Sequence, residues 1–280
     1  NISARIPKML SDAWMLVLRE VDTRSLAMSA CVSTSWRECA LTLQLQPRWF
    51  SAISTLPSFG DACRDVVEKC TRHAFRPNVA FMFFSDSYLQ NEDEDLCIEA
   101  LANSFRGRVP PSVAMIGCTG MGIIGHDPTT GQPVEMEDDD SQAVSLGLAH
   151  VGSIGEQVVM DGFLLDKDEN LAAVMQAIHA MIPTTVARDQ RSIRFVVTAD
   201  VQSIKAQNDL CGLISELDRE FDDAEKTGGI ASACVRKNTR LLLQRPGEKP
   251  IFAKKSVAVL CMASFPAAAA SGPRRRLPPA

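Results

Sequence analysis

A strand–loop–helix–strand pattern occurs twice along this chain of 280 residues, and it constrains the fold more than any other feature. Phe84-Ser85-Asp86 stands 11 residues before Cys97, and Thr198-Ala199-Asp200 stands 11 residues before Cys211. A strand of small residues follows each helix, Ile116-Gly117-Cys118 in one case and Ser232-Ala233-Cys234 in the other. Self-similarity of this kind indicates a duplicated supersecondary unit. The sequence therefore predicts two copies of a β–α–β unit.

The segments around this repeat alternate between helical and strand patterns. Residues 79–84 form a continuous apolar run, which is typical of a strand buried on both faces. Further patterns predict helices at 59–74, 92–105, 171–181 and 209–224, and strands at 113–117, 143–150, 193–198, 230–235 and 257–262. This alternation predicts an α/β domain with a mixed sheet, which we place at residues 51–262. Residues 263–280 are rich in Ala, Pro and Arg and are predicted to be a disordered tail.

Within residues 115–127, Gly120, Gly122 and Gly125 spell G-x-G-x-x-G, the fingerprint of a dinucleotide-binding turn. That motif needs a helix after the glycines, because the helix N-terminus holds the pyrophosphate. Residues 128–133 contain two prolines and a glycine instead. We therefore expect a turn here and no nucleotide cofactor. We also expect an acidic loop at 135–140 that joins two hairpin strands, with the strand at 143–150 as the second of them.

Cys118 and His126 flank the same glycines and raise the alternative of a nucleophile with its base. A catalytic thiol needs surroundings that stabilise the thiolate, which a sequence does not reveal. The competing interpretation is a small side chain in a strand that passes close to another backbone. We favour the second interpretation and expect a protein without catalytic activity.

Composition limits the partners. The net charge is −5 and aromatic residues make up 6% of the chain, so neither nucleic acid nor a membrane is an expected partner. The nine cysteines form no C-x-x-C pair and there are four scattered histidines, so we expect no metal site. Free thiols indicate a reducing compartment, and we expect the protein in the cytoplasm, the nucleus or both.

Residues 6–50 are predicted to form two or three short helices, too few to bury a core without a partner. Their second part, residues 25–39, contains Val32-x-x-x-Trp36-Arg37 after a leucine, Leu26, that follows a turn. This pattern resembles the second half of an F-box. The resemblance implies a small all-α F-box at 6–50 that binds a Skp-family adaptor and, through it, a cullin–RING ubiquitin ligase. The contact residues that it implies are Leu10, Trp14, Leu18, Leu26, Val32 and Trp36.

The rest of the chain resembles the F-box proteins that carry FIST domains, named for F-box and intracellular signal transduction. Three stretches carry the resemblance: 36–52, 115–122, and 193–197 with the later Gly228-Gly229-Ile230. Family members continue into a C-terminal FIST half, which we expect to be missing here.

The resemblance implies the substrate receptor of an SCF-type ubiquitin ligase, whose α/β domain selects a protein substrate not identified by the sequence. It also implies an alternative, a small-ligand sensor. A ligand would bind near the carboxyl ends of the strands, at Gly117, Cys118, Gly120 and Gly122.

Overall fold

A computed structural model of the chain describes residues 37, 48–72, 75–120, 123–126, 130, 132–136, 142–153, 155–166, 170–183, 186–200, 204–231 and 239–267. The six residues predicted to contact an adaptor lie outside these residues, as does the end of the chain from residue 268. Arg37 is described, and it is helical and exposed.

The first half of the domain is a sheet with helices on one side. Its strands are β1 (Arg48–Ser54), β2 (Val79–Ser85), β3 (Ala114–Gly120), β4 (Ile123–His126), β5 (Pro133–Met136) and β6 (Val144–His150). Its helices are α1 (Phe59–Cys70), the single turn α2 (Tyr88–Asn91) and α3 (Glu94–Phe105).

The second half repeats this arrangement. Its strands are β7 (Glu156–Leu165), β8 (Ser192–Ala199), β9 (Glu225–Ile230), β10 (Leu241–Gln244), β11 (Ile251–Ala253) and β12 (Val257–Pro266). Its helices are α4 (Leu171–Met181), a short 3-10 turn at Arg188–Gln190, and α5 (Ile204–Glu220).

Strand order shows that the two halves are equivalent. The first sheet contains the order β1-β6-β2-β3 and the second is β7-β12-β8-β9. In each sheet the first two pairings are antiparallel and the last is parallel. The parallel pairs align Met82 with Gly117 and Val197 with Gly228. The β–α–β topology therefore occurs twice, but the residues from which the duplication was predicted do not align. Phe84 pairs with Val144 and Ala199 pairs with Val257, the first residues of β6 and β12, so Asp200 corresponds to Ser85 and not to Asp86. The small-residue strand of the second copy is β9 and contains Gly228, whereas Ser232-Ala233-Cys234 lies outside the described residues.

A hairpin precedes the last strand of each half, β4–β5 before β6 and β10–β11 before β12, and the two hairpins pair with different partners. Hairpin β10–β11 belongs to the second half by its place in the sequence, but β10 pairs with β3 of the first sheet. The first sheet therefore has the order β1-β6-β2-β3-β10-β11. Hairpin β4–β5 forms a separate two-stranded sheet that packs against β1 and β6. This is the main departure from symmetry between the halves.

The helices begin where short polar side chains cap them. Ser58 accepts a hydrogen bond from the Asp61 backbone N–H, Asp93 caps α3, and Asn170 accepts from the Ala173 N–H at the start of α4. One face of α1 buries Phe59, Cys63, Val66, Val67 and Cys70, as the sequence pattern predicts. The helix predicted at 59–74 extends four residues too far, because α1 ends at Cys70 and Thr71 is its C-cap.

Three large clusters of buried residues define four layers. Helices α1 and α3 cover one face of the first sheet, and helices α4 and α5 cover one face of the second. Between the sheets, residues such as Ile116 and Leu243 pack against Ala258 and Leu260. The order of layers is therefore helix, sheet, sheet, helix.

Several predicted boundaries are wrong. Strand β1 begins at Arg48, so the predicted helical segment 6–50 extends too far, and β12 continues to Pro266, so residues 263–266 belong to the sheet and not to a tail. The second β–α–β unit lies about five residues earlier than predicted, with a helix at 204–220 and a strand at 225–230. Strand 79–84 is not buried on both faces, because Phe83 is exposed.

An ion pair links the residue before hairpin β10–β11 to helix α3 of the first half. The buried Arg240 guanidinium donates to Glu94 Oε2 at the start of α3, from Nε at 2.9 Å and from Nη2 at 2.7 Å. Lys254 Nζ lies 3.3 Å from the same oxygen. Burial raises the pKa of Glu94, but the hydrogen bonds and charges of Arg240 and Lys254 outweigh it and hold that pKa below its usual value.

Arg240→Met is expected to destabilise the protein, because it leaves Glu94 without its main partner. Removing one member of a buried pair costs about 3–5 kcal/mol, and the partial exposure of Glu94 reduces that cost here. Lys254→Met is the matched control and is expected to cost less than about 1 kcal/mol, since Lys254 is half exposed. Urea denaturation measures both.

The effect of Arg240→Met is also expected to depend on pH. A carboxyl whose pKa is lower in the folded chain contributes stability above its unfolded-state pKa, and that contribution is lost as the pH falls through the folded-state pKa. The difference between wild type and Arg240→Met therefore shrinks below about pH 4.3. A difference that stays constant from pH 7 to pH 3 would contradict this assignment.

Candidate functional site

An open cavity of about 480 Å³ lies between the two halves, beside hairpin β4–β5. Five strands, β1, β2, β6, β8 and β9, contribute to its walls together with β4. The lining residues carry no charged side chain: Trp49, Ser51, Phe81, Phe83, Ile124, Gly125, Ser145, Gly147, Val196, Thr198, Thr227, Gly228 and Gly229. We call this cavity the inter-sheet groove.

Small residues in β6 create the space on one side of the groove. Gly147 pairs with both Ser51 and Phe81, and Ser145 pairs with Phe83. The Trp49 ring lies over Gly147, where a Cβ atom would approach Trp49 Cζ2 to 2.4 Å. Trp49 also packs on Phe81, with ring centroids 5.4 Å apart. Glycine at 147 is therefore required for the Trp49 ring to form this wall.

The opposite wall comes from the end of the second sheet. Val196 and Thr198 in β8 lie beside Thr227 and Gly229 in β9. Thr198 is 2% exposed, and its hydroxyl has no hydrogen-bond partner in the described part of the chain. Burying an unpaired hydroxyl costs free energy, so a polar group that entered the groove could gain a hydrogen bond from it.

Large apolar side chains surround the mouth of the groove. Trp49 is 55% exposed, Phe83 38% and Ile124 64%, and all three line the groove. Ile230, next to Gly229 in β9, is 62% exposed. Contiguous exposed apolar surface in a folded protein commonly marks a binding site.

The predicted ligand residues lie elsewhere. Gly117 and Cys118 are buried inside β3, Gly120 ends that strand opposite Ser85, and none of the three lines the inter-sheet groove. Gly122 lies outside the described residues. The equivalent positions of the second half, Gly228 and Gly229, do line the groove. In the first half, β10 pairs with the outer edge of β3 and Gly117 is buried. In the second half, Gly228 and Gly229 of β9 are exposed.

Gly117 and Gly228 allow two strands to approach closely. A Cβ atom at Gly117 would lie 1.7 Å from the Met82 carbonyl oxygen, and one at Gly228 would lie 1.9 Å from the Val197 carbonyl oxygen. The expected turn after Gly125 is also confirmed in part, because the next described element after β4 is the antiparallel strand β5. The predicted pairing of this hairpin with the strand at 143–150 is wrong, because β6 pairs with β1 and β2.

The environment of Cys118 does not favour a nucleophile. Burial raises the pKa of the Cys118 thiol to about 12, so the thiol form dominates at neutral pH. Cys63, Cys70, Cys97 and Cys261 are also buried, and Cys211 is exposed on α5.

We expect Cys211 to react before the other described cysteines when the folded protein is treated briefly with iodoacetamide at neutral pH. Peptide mass spectrometry then identifies the labelled site, and Cys211→Ser removes that label. Labelling of Cys118 at the rate of Cys211 would contradict the buried thiol and support a reactive one.

The described residues contain no cluster of three or more His, Cys, Asp or Glu side chains placed to hold a metal ion. No helix among them combines the length and apolar character that crossing a membrane requires.

The fold and the groove define a duplicated, four-layer α/β domain whose halves leave an uncharged opening between their sheets. The family model that matches the chain is the FIST N domain, over residues 78–271, which is more than half of the chain. The chain therefore belongs to the FIST N domain family, as its resemblance predicts. The match does not reach residues 6–50, so the F-box stays a prediction. A comparison with curated proteins finds no significant match.

Proposed function

We propose that this chain is the substrate-recognition subunit of an SCF-type cullin–RING ubiquitin ligase. In this proposal, the F-box-like segment before β1, residues 6–47, binds a Skp-family adaptor, and the FIST domain selects the protein substrate. The observation that carries it is the arrangement of the chain: an F-box-like Val32-x-x-x-Trp36-Arg37 segment precedes a domain with an open, uncharged, aromatic-lined groove. Such a subunit would act in the cytoplasm or the nucleus.

The chain's contribution would be proximity and not bond formation. Holding a substrate beside the ubiquitin-loaded enzyme raises the effective concentration of its lysines. The groove suits this role because Trp49, Phe83 and Ile124 offer apolar contact area at its mouth. Aromatic side chains of this kind are enriched in the energetically important part of protein interfaces.

Affinity purification of the tagged full-length chain, followed by mass spectrometry, tests the proposal. We expect the adaptor and a cullin to co-purify, together with proteins that accumulate when cullin activity is inhibited. Purified folded protein that retains neither adaptor nor cullin would reject the proposal.

A second function, small-ligand sensing, is favoured by the unpaired hydroxyl of Thr198. The volume of about 480 Å³ falls in the range of small-molecule sites, roughly 300–1,000 Å³. The hydroxyl would give a ligand one oriented hydrogen bond inside an uncharged groove.

Thermal unfolding in the presence of each of the common amino acids tests this second function. A ligand at a hundredfold above its dissociation constant stabilises the folded state by about 2.7 kcal/mol. Thr198→Val is the matched control, because it keeps the side-chain shape and removes the hydroxyl. No stabilisation at millimolar amino acid, or equal stabilisation of Thr198→Val, would count against sensing at this site.

A further inference from the structure

The outer edge of β9 is equivalent to an edge that is already occupied in the other half. In β3, the Thr119 N–H donates to the Arg240 carbonyl at 2.9 Å, and antiparallel pairing with β10 continues from Cys118 to Met115. Strand β9 occupies the same place in the second sheet, and β8 is its one strand partner among the described residues. Among the described residues, the second half therefore has an unpaired edge where the first half has a paired one.

The backbone directions of the two strands agree with this equivalence. The Ala231 N–H donates to the Ala199 carbonyl in β8, at 2.9 Å. Backbone groups alternate in direction along a strand, so Lys226, Gly228 and Ile230 present their N–H and C=O groups to the open edge. Their equivalents in β3, which include Gly117 and Thr119, face β10. The open edge of β9 thus has the hydrogen-bonding pattern that accepts a strand.

We propose that β9 binds an extended segment of the protein substrate as an additional, antiparallel strand, with apolar side chains directed into the inter-sheet groove. This inference rests on the proposed role as a substrate receptor and names how that substrate is held. Strand addition to an exposed sheet edge is a recurrent mode of peptide recognition, in which main-chain bonds give affinity and pockets for alternate side chains give specificity.

The surroundings of β9 define the peptide that fits. Side chains of a strand alternate between faces, so every second residue of the peptide would face the groove. That face carries Phe83, Ile124 and Val196 and no charged side chain, which selects apolar residues. The Thr198 hydroxyl can pair with one polar group of the peptide. Gly228 and Gly229 carry no side chains that would keep an incoming strand away from the β9 backbone.

Within the same chain, hairpin β4–β5 is the segment that would compete with a peptide for the outer edge of β9. It is the counterpart of β10–β11, and just as β10 packs against β7 and β12 of its own half, β4 packs against β1 and β6. In the structure Ile124 and Gly125 face β9 across the groove and do not pair with it. A peptide would occupy the place between them.

Selection from a displayed library of random ten-residue peptides on the purified full chain supplies the probe. We expect enriched peptides to carry apolar residues at alternate positions. Their dissociation constants are then measured for wild type, Ile230→Pro and Ile230→Ala. Proline removes the outward N–H and is tolerated at a sheet edge, whereas alanine shortens the same side chain and keeps the N–H. We expect Ile230→Pro to bind about tenfold more weakly than Ile230→Ala, with circular dichroism unchanged in both.

Amide hydrogen exchange supplies an independent result. With a selected peptide bound, the amides of Lys226, Gly228 and Ile230 are expected to gain protection, while Thr227, which faces β8, is expected to change little. Four outcomes would overturn the inference: no enriched peptide, equal affinity of the two Ile230 variants, protection elsewhere, or outward β9 amides already protected in the free chain. The last outcome would assign the edge to the chain's own hairpin or a second copy. Failure here with adaptor co-purification intact would leave the proposed ligase role standing.

Discussion

Gly228→Ala is expected to destabilise the domain strongly, because the added methyl group has no room. Its Cβ atom would lie 1.9 Å from the Val197 carbonyl oxygen and 2.8 Å from the carbonyl carbon. Those atoms belong to the backbone of a buried strand and cannot turn away as a side chain can. Overpacking costs typically about 1–3 kcal/mol, and a backbone clash this close places Gly228→Ala at or above the upper end.

The neighbouring glycine provides a matched control. A Cβ atom at Gly229 meets nothing within 4 Å, so Gly229→Ala is expected to be neutral, or to stabilise by up to about 1 kcal/mol through a less flexible unfolded chain. Chemical denaturation of the two variants beside wild type measures the difference. Equal stability of both variants would mean that β8 and β9 do not approach as closely as β2 and β3 do, and the equivalence of the halves would fail.

Trp36→Ala is expected to abolish adaptor binding, because the F-box resemblance places Trp36 in the small helical core that meets the adaptor. Truncating a buried tryptophan costs roughly 3–5 kcal/mol, which corresponds to a loss of roughly a hundredfold or more in affinity. Affinity co-purification of the variant with the adaptor measures the loss. The α/β domain has its own core, so circular dichroism is expected to keep its strand and helix signals.

Trp49→Ala is the control for removing a tryptophan from this chain. Trp49 lies in β1 at the groove, so its loss is expected to leave adaptor binding unchanged and to weaken peptides selected on the groove. Adaptor binding that survives Trp36→Ala, or that is lost equally in Trp49→Ala, would remove the basis for an F-box in the segment before β1.

Strong local patterns were enough to predict many elements from the sequence. The helix at 171–181 has the predicted bounds, because Asn170 caps its start and Pro183 follows its end. The strand at 79–84 follows from its apolar run. In each case a few neighbouring residues carry the information.

Elements that depend on distant partners were missed or displaced. Strand β9 has the sequence Glu-Lys-Thr-Gly-Gly-Ile, which lacks an apolar run, and its parallel pairing with β8 makes it a strand. Strand β10 is only four residues long and exists because β3 offers an edge. Local propensity does not report such pairings, since tertiary context decides them.

The residues expected from the sequence to bind a ligand do not line the inter-sheet groove. Glycines at strand ends suggested a ligand near Gly117 and Gly120, whereas the glycines that line the groove are Gly228, the counterpart of Gly117, and Gly229, the counterpart of Cys118. Which glycines are accessible depends on the hairpins. Hairpin β10–β11 pairs with the outer edge of β3, whereas no hairpin among the described residues pairs with the outer edge of β9. The one sequence signal for the accessible glycines was the second group of glycines in the chain, Gly228 and Gly229.

Calorimetric titration of the purified full-length chain with the Skp-family adaptor tests the central claim most directly. The account predicts a saturable one-to-one complex formed by wild type and by Trp49→Ala, and no measurable complex with Trp36→Ala. A folded wild-type chain that shows no binding to the adaptor would contradict the account, and the inter-sheet groove would then have to serve a protein that acts outside the ubiquitin ligase.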